Sequence, residues 1–553
     1  MSDLRLIPLG GMGNVTQNMY VYEYQDELLL VDCGIGFPDV YMPGVDALIP
    51  DISYLLKQLE QGKRIVGMVL SHGHDDHIGA LPYLLPSLPD FPIYGSPLTV
   101  GFAEQRIADK GIKKTLSVLR DRVPVKIGSF FTAMTIAMTH SVPDTKHVVI
   151  DTPEGMIYHG SDFKLDQHPV DGVLPDYDAI QQLRNQNIML MLIDCLRSER
   201  DAWGKSESTV GPVLESLMAE TKGKYVVTLM SSHIHRIQQI ITSAQKLGRK
   251  VVLVGRSVEQ NVRVAVELGK LTVERDQLVD KKYIGDYADS KLCVIIAGSQ
   301  GQEGSSLVRA VYGEHREIQL TDQDTVVFSA DVIPGNEVPY YRAIDELSRN
   351  GLTVIYPDIN SGVHQSGHAS APEQQKLLDA LRPKYVMPIG GADRHRARFA
   401  QVVAAPLGYA EQAVLIPKHG EVMSFSGGVA HTAETLTLNP SVVDGLGIGD
   451  VGPVVLSDRL SLSQAGMVVI VIPKTASGLD LRHIEVISRG FVFMKQADEV
   501  VQFIKDQVIA IADKEAGQKE EDLKRVIERR LARKLYKIIK REPLIMVSIV
   551  SVS

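Results

Sequence analysis

Cysteine is nearly absent: three residues in 553, Cys33, Cys195 and Cys293, with no Cys-x-x-Cys pair among them. That excludes a disulfide framework and a cysteine-built zinc ribbon. Basic charge is not in excess either, because 58 Lys and Arg face 67 Asp and Glu, for a net charge of −9. No global field draws such a chain to nucleic acid, so any binding of that kind needs a local groove. Aromatic residues are 6% of the chain, with one tryptophan, Trp203, and they form no stacking pattern along the sequence. Apolar runs such as residues 188–193 fall far short of the ~20 residues that span a bilayer, and no membrane partner is expected. The opening Met1-Ser-Asp-Leu-Arg lacks the basic and apolar regions of a secretory signal, which makes a cytoplasmic location the expectation.

What is present is apolar sequence in short, regular pieces. Hydrophobic residues make up 44% of the chain, enough for a large core, and the length corresponds to three or four domains at ~150 residues each. From residue 4 to about 194, strand-like runs end in polar groups. Residues 27–31 run into Asp32, 65–70 into Ser71-His-Gly-His-Asp-Asp-His77, 132–138 into Thr139-His140, 155–158 into His159-Gly-Ser-Asp162, and 187–193 into Asp194. Strand ends gathered at one sheet edge are where open α/β folds build their sites. Residues 204–360 change to regular βα alternation, with strands expected at 224–230, 250–254, 292–297, 325–328 and 352–356. Helices are expected at 234–247, 257–268 and 338–349, a parallel doubly wound pattern. Residues 361–438 return to helix and strand. The Gly- and Pro-bearing stretch 439–453 reads as a linker, and 454–553 as a small α+β domain with long charged helices at 498–514 and 520–540.

His72-Gly-His74-Asp-Asp76-His77 carries the strongest chemical signal. Positions 72, 74 and 76 are two apart, so in an extended segment they project to one side, and His77 is free to turn towards a second ion. Imidazole and carboxylate suit Zn²⁺ or Mn²⁺. One such motif does not make a two-metal site. His140 and Asp162, taken singly, read as loop residues or satisfied core groups; with the first motif they fit one further imidazole and one bridging carboxylate, the arrangement of hydrolytic two-metal centres.

Words further along the chain make a resemblance plain. They are Pro8-Leu-Gly-Gly-Met-Gly13, Leu70-Ser-His-Gly-His-Asp-Asp-His-Ile-Gly-Ala-Leu-Pro82, Thr139-His-Ser-Val-Pro-Asp144, Asp162-Phe-Lys164 and Ile234-His-Arg-Ile-Gln238. Gly255-Arg-Ser257, Gly298-Ser-Gln-Gly301, Ile333-Pro-Gly-Asn-Glu337, His364-Gln-Ser-Gly-His-Ala369, Asp450-Val-Gly452 and Ser488-Arg-Gly-Phe-Val492 follow. Together they resemble the metallo-β-lactamase superfamily, its β-CASP nuclease branch, and within that the ribonuclease J family. The resemblance implies a metallo-β-lactamase αββα sandwich over 1–203 and 361–438. It also implies an inserted β-CASP doubly wound α/β domain over 204–360 and a small α+β C-terminal domain. It implies two divalent metal ions, Zn²⁺ first with Mn²⁺ or Mg²⁺ as alternatives. His72, His74, His140 and Asp162 would hold one, and Asp76, His77 and Asp162 the other. Asp76 would take a proton from the attacking water. Asp194 would support a ligand histidine, and His368 would serve the leaving oxygen. His364, Ser366, Gly367 and His368 would bind a nucleotide phosphate. The implied activity is a 5′→3′ exonuclease with some endonuclease action on single-stranded RNA, in RNA processing and decay. A homodimer or homotetramer is implied, or pairing with a paralogous subunit.

The chain departs from the family pattern at one ligand. The family has a last metal histidine in Pro-x-His-Gly-Glu, and here the stretch reads Pro388-Ile-Gly390-Gly-Ala392. Glycine cannot ligate, so the second site is expected to be weak or empty. His395, five residues on, and His419, in His419-Gly-Glu421 on a different segment, are not expected to replace the missing histidine. The competing reading is an RNA-binding or assembly subunit of weakened catalysis. The stretch 524–541 holds nine Lys and Arg at helical spacing, read as a solvated face or as a contact for RNA or a subunit.

Overall fold

The computed structural model describes residues 3–39, 41–333, 335–445, 447–491 and 497–552. Pro334 and Val492, quoted in the motifs above, lie outside the described residues, as do Met1 and Ser2. The chain divides into two compact units, one of residues 1–37 and 48–441, the other of 38–47 and 442–553.

The first unit is built on two facing sheets. One has eight strands, among them Leu4–Pro8, Tyr20–Tyr24, Glu27–Val31 and Arg64–Val69. The other has six: Val125–Ile127, Phe131–Ala137, Lys146–Thr152, Gly155–His159, Ile188–Asp194 and Tyr385–Ile389. Alternate residues of both, such as Leu6, Tyr22, Leu29, Ala133, Ile150 and Leu190, meet in one core. The opposite face of the six-stranded sheet, through Ile136, Val149, Met191 and Ile193, is covered by Ile180, Leu377, Leu381 and Phe399 of flanking helices. Strands buried on both faces explain why Ile188–Asp194 is a continuous apolar run, not an alternating one. At ~25 cal/mol per Å² of apolar surface removed from water, these layers supply the main drive to fold.

Ile188–Asp194 pairs in parallel with both Gly155–His159 and Tyr385–Ile389, with Asp194 opposite Ile389. Residue 390 therefore emerges beside Asp194 although almost two hundred positions separate them. The intervening chain includes a third sheet of six parallel strands: Leu278–Val279, Lys250–Val254, Leu292–Ile296, Tyr225–Thr228, Thr325–Phe328 and Thr353–Ile355 in spatial order. Helices Ile234–Lys246, Arg256–Glu267 and Glu337–Arg349 alternate with them, as the sequence predicts.

In the second unit, Leu544–Ser551 runs parallel to Met467–Thr475, and Glu485–Arg489 antiparallel to it on the other side. Val468, Ile470 and Ile472 on one face pack against Ile504, Val508, Ile511, Ile527 and Leu531 of helices Ala497–Lys514 and Glu520–Ile539. The stretch read as a linker is not structureless: Ser441–Asp444 and Gly447–Ile448 form a short hairpin before helix Pro453–Ala465. Short β pieces with Gly at the turn carry too few apolar positions to register as strands.

Candidate metal centre

Strand Arg64–Val69 passes through Leu70 and Ser71 into the short helix Asp75–Ile78. That strand-to-helix turn brings the clustered histidines to the sheet edge, where the ends of Phe131–Ala137, Gly155–His159 and Ile188–Asp194 bring His140, Asp162 and Asp194. His72 Nε2 and His140 Nε2 lie 3.2 and 3.1 Å from His74 Nδ1. Asp162 Oδ2 lies 3.7 Å from His72 Nε2 and 3.8 Å from His140 Nε2. The same oxygen is 3.5 Å from His77 Nε2, which is 3.8 Å from Asp76 Oδ2. Two donor groups thus share Asp162: one with His72, His74 and His140, the other with Asp76 and His77. A third group joins Asp162 and Asp194 to His368, whose Nε2 is 3.9 Å from Asp162 Oδ2 and whose Nδ1 is 2.8 Å from Asp194 Oδ2.

The far side of each imidazole is held. His140 donates Nδ1–H to the Gly367 carbonyl at 2.7 Å; a carbonyl can only accept, so the Nε2 facing Asp162 keeps its lone pair. His77 Nδ1 lies 2.8 Å from Asp32 Oδ2, and Ser71 Oγ bridges the same Asp32 oxygen (2.8 Å) to His72 Nδ1 (3.0 Å). His74 is reversed, with Nδ1 inward and Nε2 3.0 Å from Ser141 Oγ. Outer partners of this kind orient metal-binding imidazoles.

Charge follows burial. Desolvation holds the pKa values of His72 and His140 well below the ordinary imidazole value and that of His74 at about 3. Three neutral imidazoles converging on a carboxylate suit a divalent cation in both donor chemistry and charge. Burial also opposes charge on His77, but Asp162, Asp76 and Asp32 together outweigh it and push its pKa well up. Burial raises Asp76 to about 6, against the pull of His77. For His368, burial is overcome by Asp194 and Asp162, and its pKa rises to about 9.

Gly390 follows Tyr385–Ile389 with φ +64°, its N–H 3.1 Å from the Gly11 carbonyl. A Cβ there would meet Asp162 Oδ1 at 3.6 Å and Asp194 Oδ1 at 3.8 Å, so the position faces the centre and supplies nothing to it. Neither His395 nor His419 joins in. His395 Nδ1 accepts from the Ala392 N–H at 3.2 Å, capping helix Asp393–Phe399, and its Nε2 lies 3.6 Å from Glu199. His419 is exposed ahead of strand Glu421–Ser426.

The 364–368 segment is more tied down than a phosphate loop read from sequence. His364 Nδ1 accepts from Arg236 Nη1 at 2.7 Å, which leaves its proton on Nε2, 3.4 Å from Asp331 Oδ2. Ser366 Oγ accepts from the His368 N–H at 3.2 Å. Gly367 is in contact with the centre through its carbonyl, and a Cβ on it would lie 2.8 Å from Ser141 Cβ and 3.0 Å from His140 Cε1. Sequence reading missed Asp32, Ser71, Ser141 and Arg236. Asp32 had a signal: it ends an apolar strand, and its φ of +61° is a conformation that Asp and Asn tolerate best. Arg236 had none beyond its place in a matching word.

Comparison with known proteins places four family models along the chain. The metallo-β-lactamase superfamily matches residues 12–168, the β-CASP domain of ribonuclease J 222–347, the RNA specificity domain of Zn-dependent metallo-hydrolases 354–417, and the C-terminal domain of ribonuclease J 454–552. A curated ribonuclease J from Thermus thermophilus is 37% identical, over 88% of this chain and 85% of its own. One from Mycolicibacterium smegmatis is 36% identical over 92% and 90%, and ribonuclease J 1 of Streptococcus pyogenes 31% identical over 99% and 97%. A crystal structure of a protein of unknown function from Enterococcus faecalis shares the fold over 76% of this chain and all of its own, with TM-score 0.52 at 14% identity. Relatives 31–37% identical over 85% or more of both chains, with the domain models in this order, make the chain a member of the ribonuclease J family.

Proposed function

We propose that the chain is a metal-dependent hydrolase of single-stranded RNA, working 5′→3′ from a 5′-monophosphate end with endonucleolytic cleavage as a second mode. The observation that carries this is the single carboxylate oxygen of Asp162 with the Nε2 atoms of His72, His77 and His140 around it at 3.5–3.8 Å. His72, His74, His140 and Asp162 would hold one divalent ion, and Asp76, His77 and Asp162 a second, weaker one, with Zn²⁺ first and Mn²⁺ or Mg²⁺ as alternatives. Such ions, when bound, lower the pKa of water from ~15.7 towards ~7 and neutralise charge on phosphoryl oxygens.

Asp76 orients the attacking water and accepts its proton. His368, held through Nδ1 by Asp194, gives its Nε2 proton to the leaving 3′ oxygen. The Ser366 hydroxyl, the Gly367 N–H and His364 through Nε2–H hold a neighbouring phosphate. The alternative, an RNA-binding or assembly subunit of weakened catalysis, is not favoured: Gly390 subtracts nothing from the first donor group. In the second unit, the sheet face away from the helices leaves Ile487, Met546 and Val550 43–50% exposed. This supports a second copy of the chain docking there, because apolar patches of this kind mark protein contacts.

A labelled 5′-monophosphorylated RNA should be degraded with Mn²⁺ or Zn²⁺ and released as mononucleotides, and Asp76→Ala should abolish release. An Asp76→Ala enzyme as fast as the parent would sink the reading.

A further inference from the structure

Helix Glu520–Ile539 buries Leu523, Ile527, Leu531 and Leu535 against the second unit's sheet. Its opposite side carries Arg525, Arg529, Arg533 and Lys537, all exposed, at successive four-residue steps. Four residues rise about 6 Å along a helix and advance only 40° around it, so the four cations form one gently winding row. Among the described residues none of them makes an ion pair or side-chain hydrogen bond. The other cations of the helix are taken: Lys524 by Glu521 at 2.8 Å, Arg530 by Glu515 at 2.6 Å, and Lys534 by Gln507. The one acid within 524–541, Glu528, accepts from the Val547 N–H at 3.0 Å. Tyr536, 51% exposed, and Lys540 lie on the same side, with Lys540 Nζ 5.6 Å from the Tyr536 ring centre.

A bland solvated helix face usually interleaves charges of both signs, and a chain of net charge −9 has no general surplus of cations to scatter. Nine cations against one acid over eighteen residues is a local exception. We infer that this row is a second RNA-binding surface, apart from the metal centre, that grips successive backbone phosphates of single-stranded RNA without reading sequence. The 6 Å step matches the spacing of neighbouring phosphates along a strand. Guanidinium forks bind phosphate oxygens in pairs, and an exposed Tyr gives one base a stacking face. An acidic protein partner would meet the same charges, but it has no use for an even repeat at this spacing. The ligand class rests on the RNA-hydrolase reading; the binding itself does not need the metal centre to work.

The test uses the full chain in EDTA, so that cleavage plays no part, and a fluorescent single-stranded RNA long enough to cover more than one surface. Neutralising a phosphate contact on a single strand lowers the slope of log affinity against log salt by about 0.7. R525Q/R529Q/R533Q/K537Q should therefore flatten the slope by close to 3 units, and R525Q/R529Q by half of that, with the unfolding midpoint unchanged. Tyr536→Ala should weaken binding about tenfold at constant slope. Equal slopes for parent and quadruple variant would overturn the proposal. So would loss of polyglutamate binding with RNA binding intact, which would assign the row to a protein partner. Failure of the hydrolase reading would show instead as RNA that binds normally and is never cut when Mn²⁺ or Zn²⁺ is restored.

Discussion

Asp162 is the residue on which the centre turns, because one of its oxygens serves both donor groups and faces His368 as well. Its pKa is held well down: burial alone would raise it, and His368 and His77 outweigh that. Gly390 is the other decisive residue. A Cβ at residue 390 makes ordinary contact with Asp162 and Asp194, so Gly390→His should add a nitrogen donor and tighten the second ion about tenfold or more on the scale of ligand-shell effects. The left-handed backbone at φ +64° would cost about 1–2 kcal/mol of stability for a non-glycine residue. Metal content after dialysis against a graded chelator, together with a thermal melt, checks both. An unchanged ion count would mean that the imidazole does not reach the centre. The missing donor was legible in the sequence, because a motif word marks where it should stand. That it faces Asp162 directly, while His395 caps a helix instead, was not.

At the scale of elements, the centre depends on a segment far from its own strands. Arg236, on helix Ile234–Lys246 and fully buried, donates to the Ser329 carbonyl at 2.7 Å, the Gln365 carbonyl at 3.0 Å and His364 Nδ1. Glu207 pairs with it at 2.6 Å. The guanidinium thus ties the parallel sheet to the 364–368 segment, which in turn orients His140 through the Gly367 carbonyl. Arg236→Met leaves the buried Glu207 without its guanidinium, with only Gln239 Nε2 at 3.1 Å and His233 Nε2 at 3.5 Å beside the carboxylate, and breaking a buried pair typically costs about 3–5 kcal/mol. Arg236→Lys restores the charge but not the fork. We expect Lys to recover much of the melting temperature and little of the turnover, with tight binding of the first ion kept. If Lys restored turnover fully, the fork would not be what positions the segment. The elements themselves were readable from apolar periodicity, since helices 234–246 and 337–349 lie within a residue or two of expectation. Their cross-links were not, because a buried Arg and Glu look like surface residues until the fold encloses them.

For the whole molecule, the consequence is sensitivity to acid. His159 and His233 are buried and belong to none of the donor groups, and desolvation lowers each to about 4. Burial would raise Glu207, but Arg236 and His233 outweigh it and hold it well down. A folded-state histidine pKa below the usual ~6.5 means that the unfolded chain binds more protons between the two values. That stability is therefore whole near pH 7 and lost as pH falls from ~6.5 to ~4. The Glu207 contribution is present above the ordinary carboxyl value and is lost as pH falls further, so both act in the same direction. Urea midpoints should fall steadily from pH 7 to pH 4 in metal-free protein. A flat profile over that range would show that these groups titrate alike in both states.

The sequence by itself determined the strands, the doubly wound insertion and the His and Asp side chains that the candidate donor groups bring together, and the words it shares with its family marked Gly390 as a departure. Those follow from apolar periodicity and from residue types that only a few chemistries use. What only the tertiary structure decided is which atoms meet: that Asp162 Oδ2 is shared, that His74 turns its other nitrogen inward, and that a glycine carbonyl orients His140. Long-range parallel pairing of Ile188–Asp194 with Tyr385–Ile389 creates those meetings, and no local pattern encodes a contact between residues that distant in the chain.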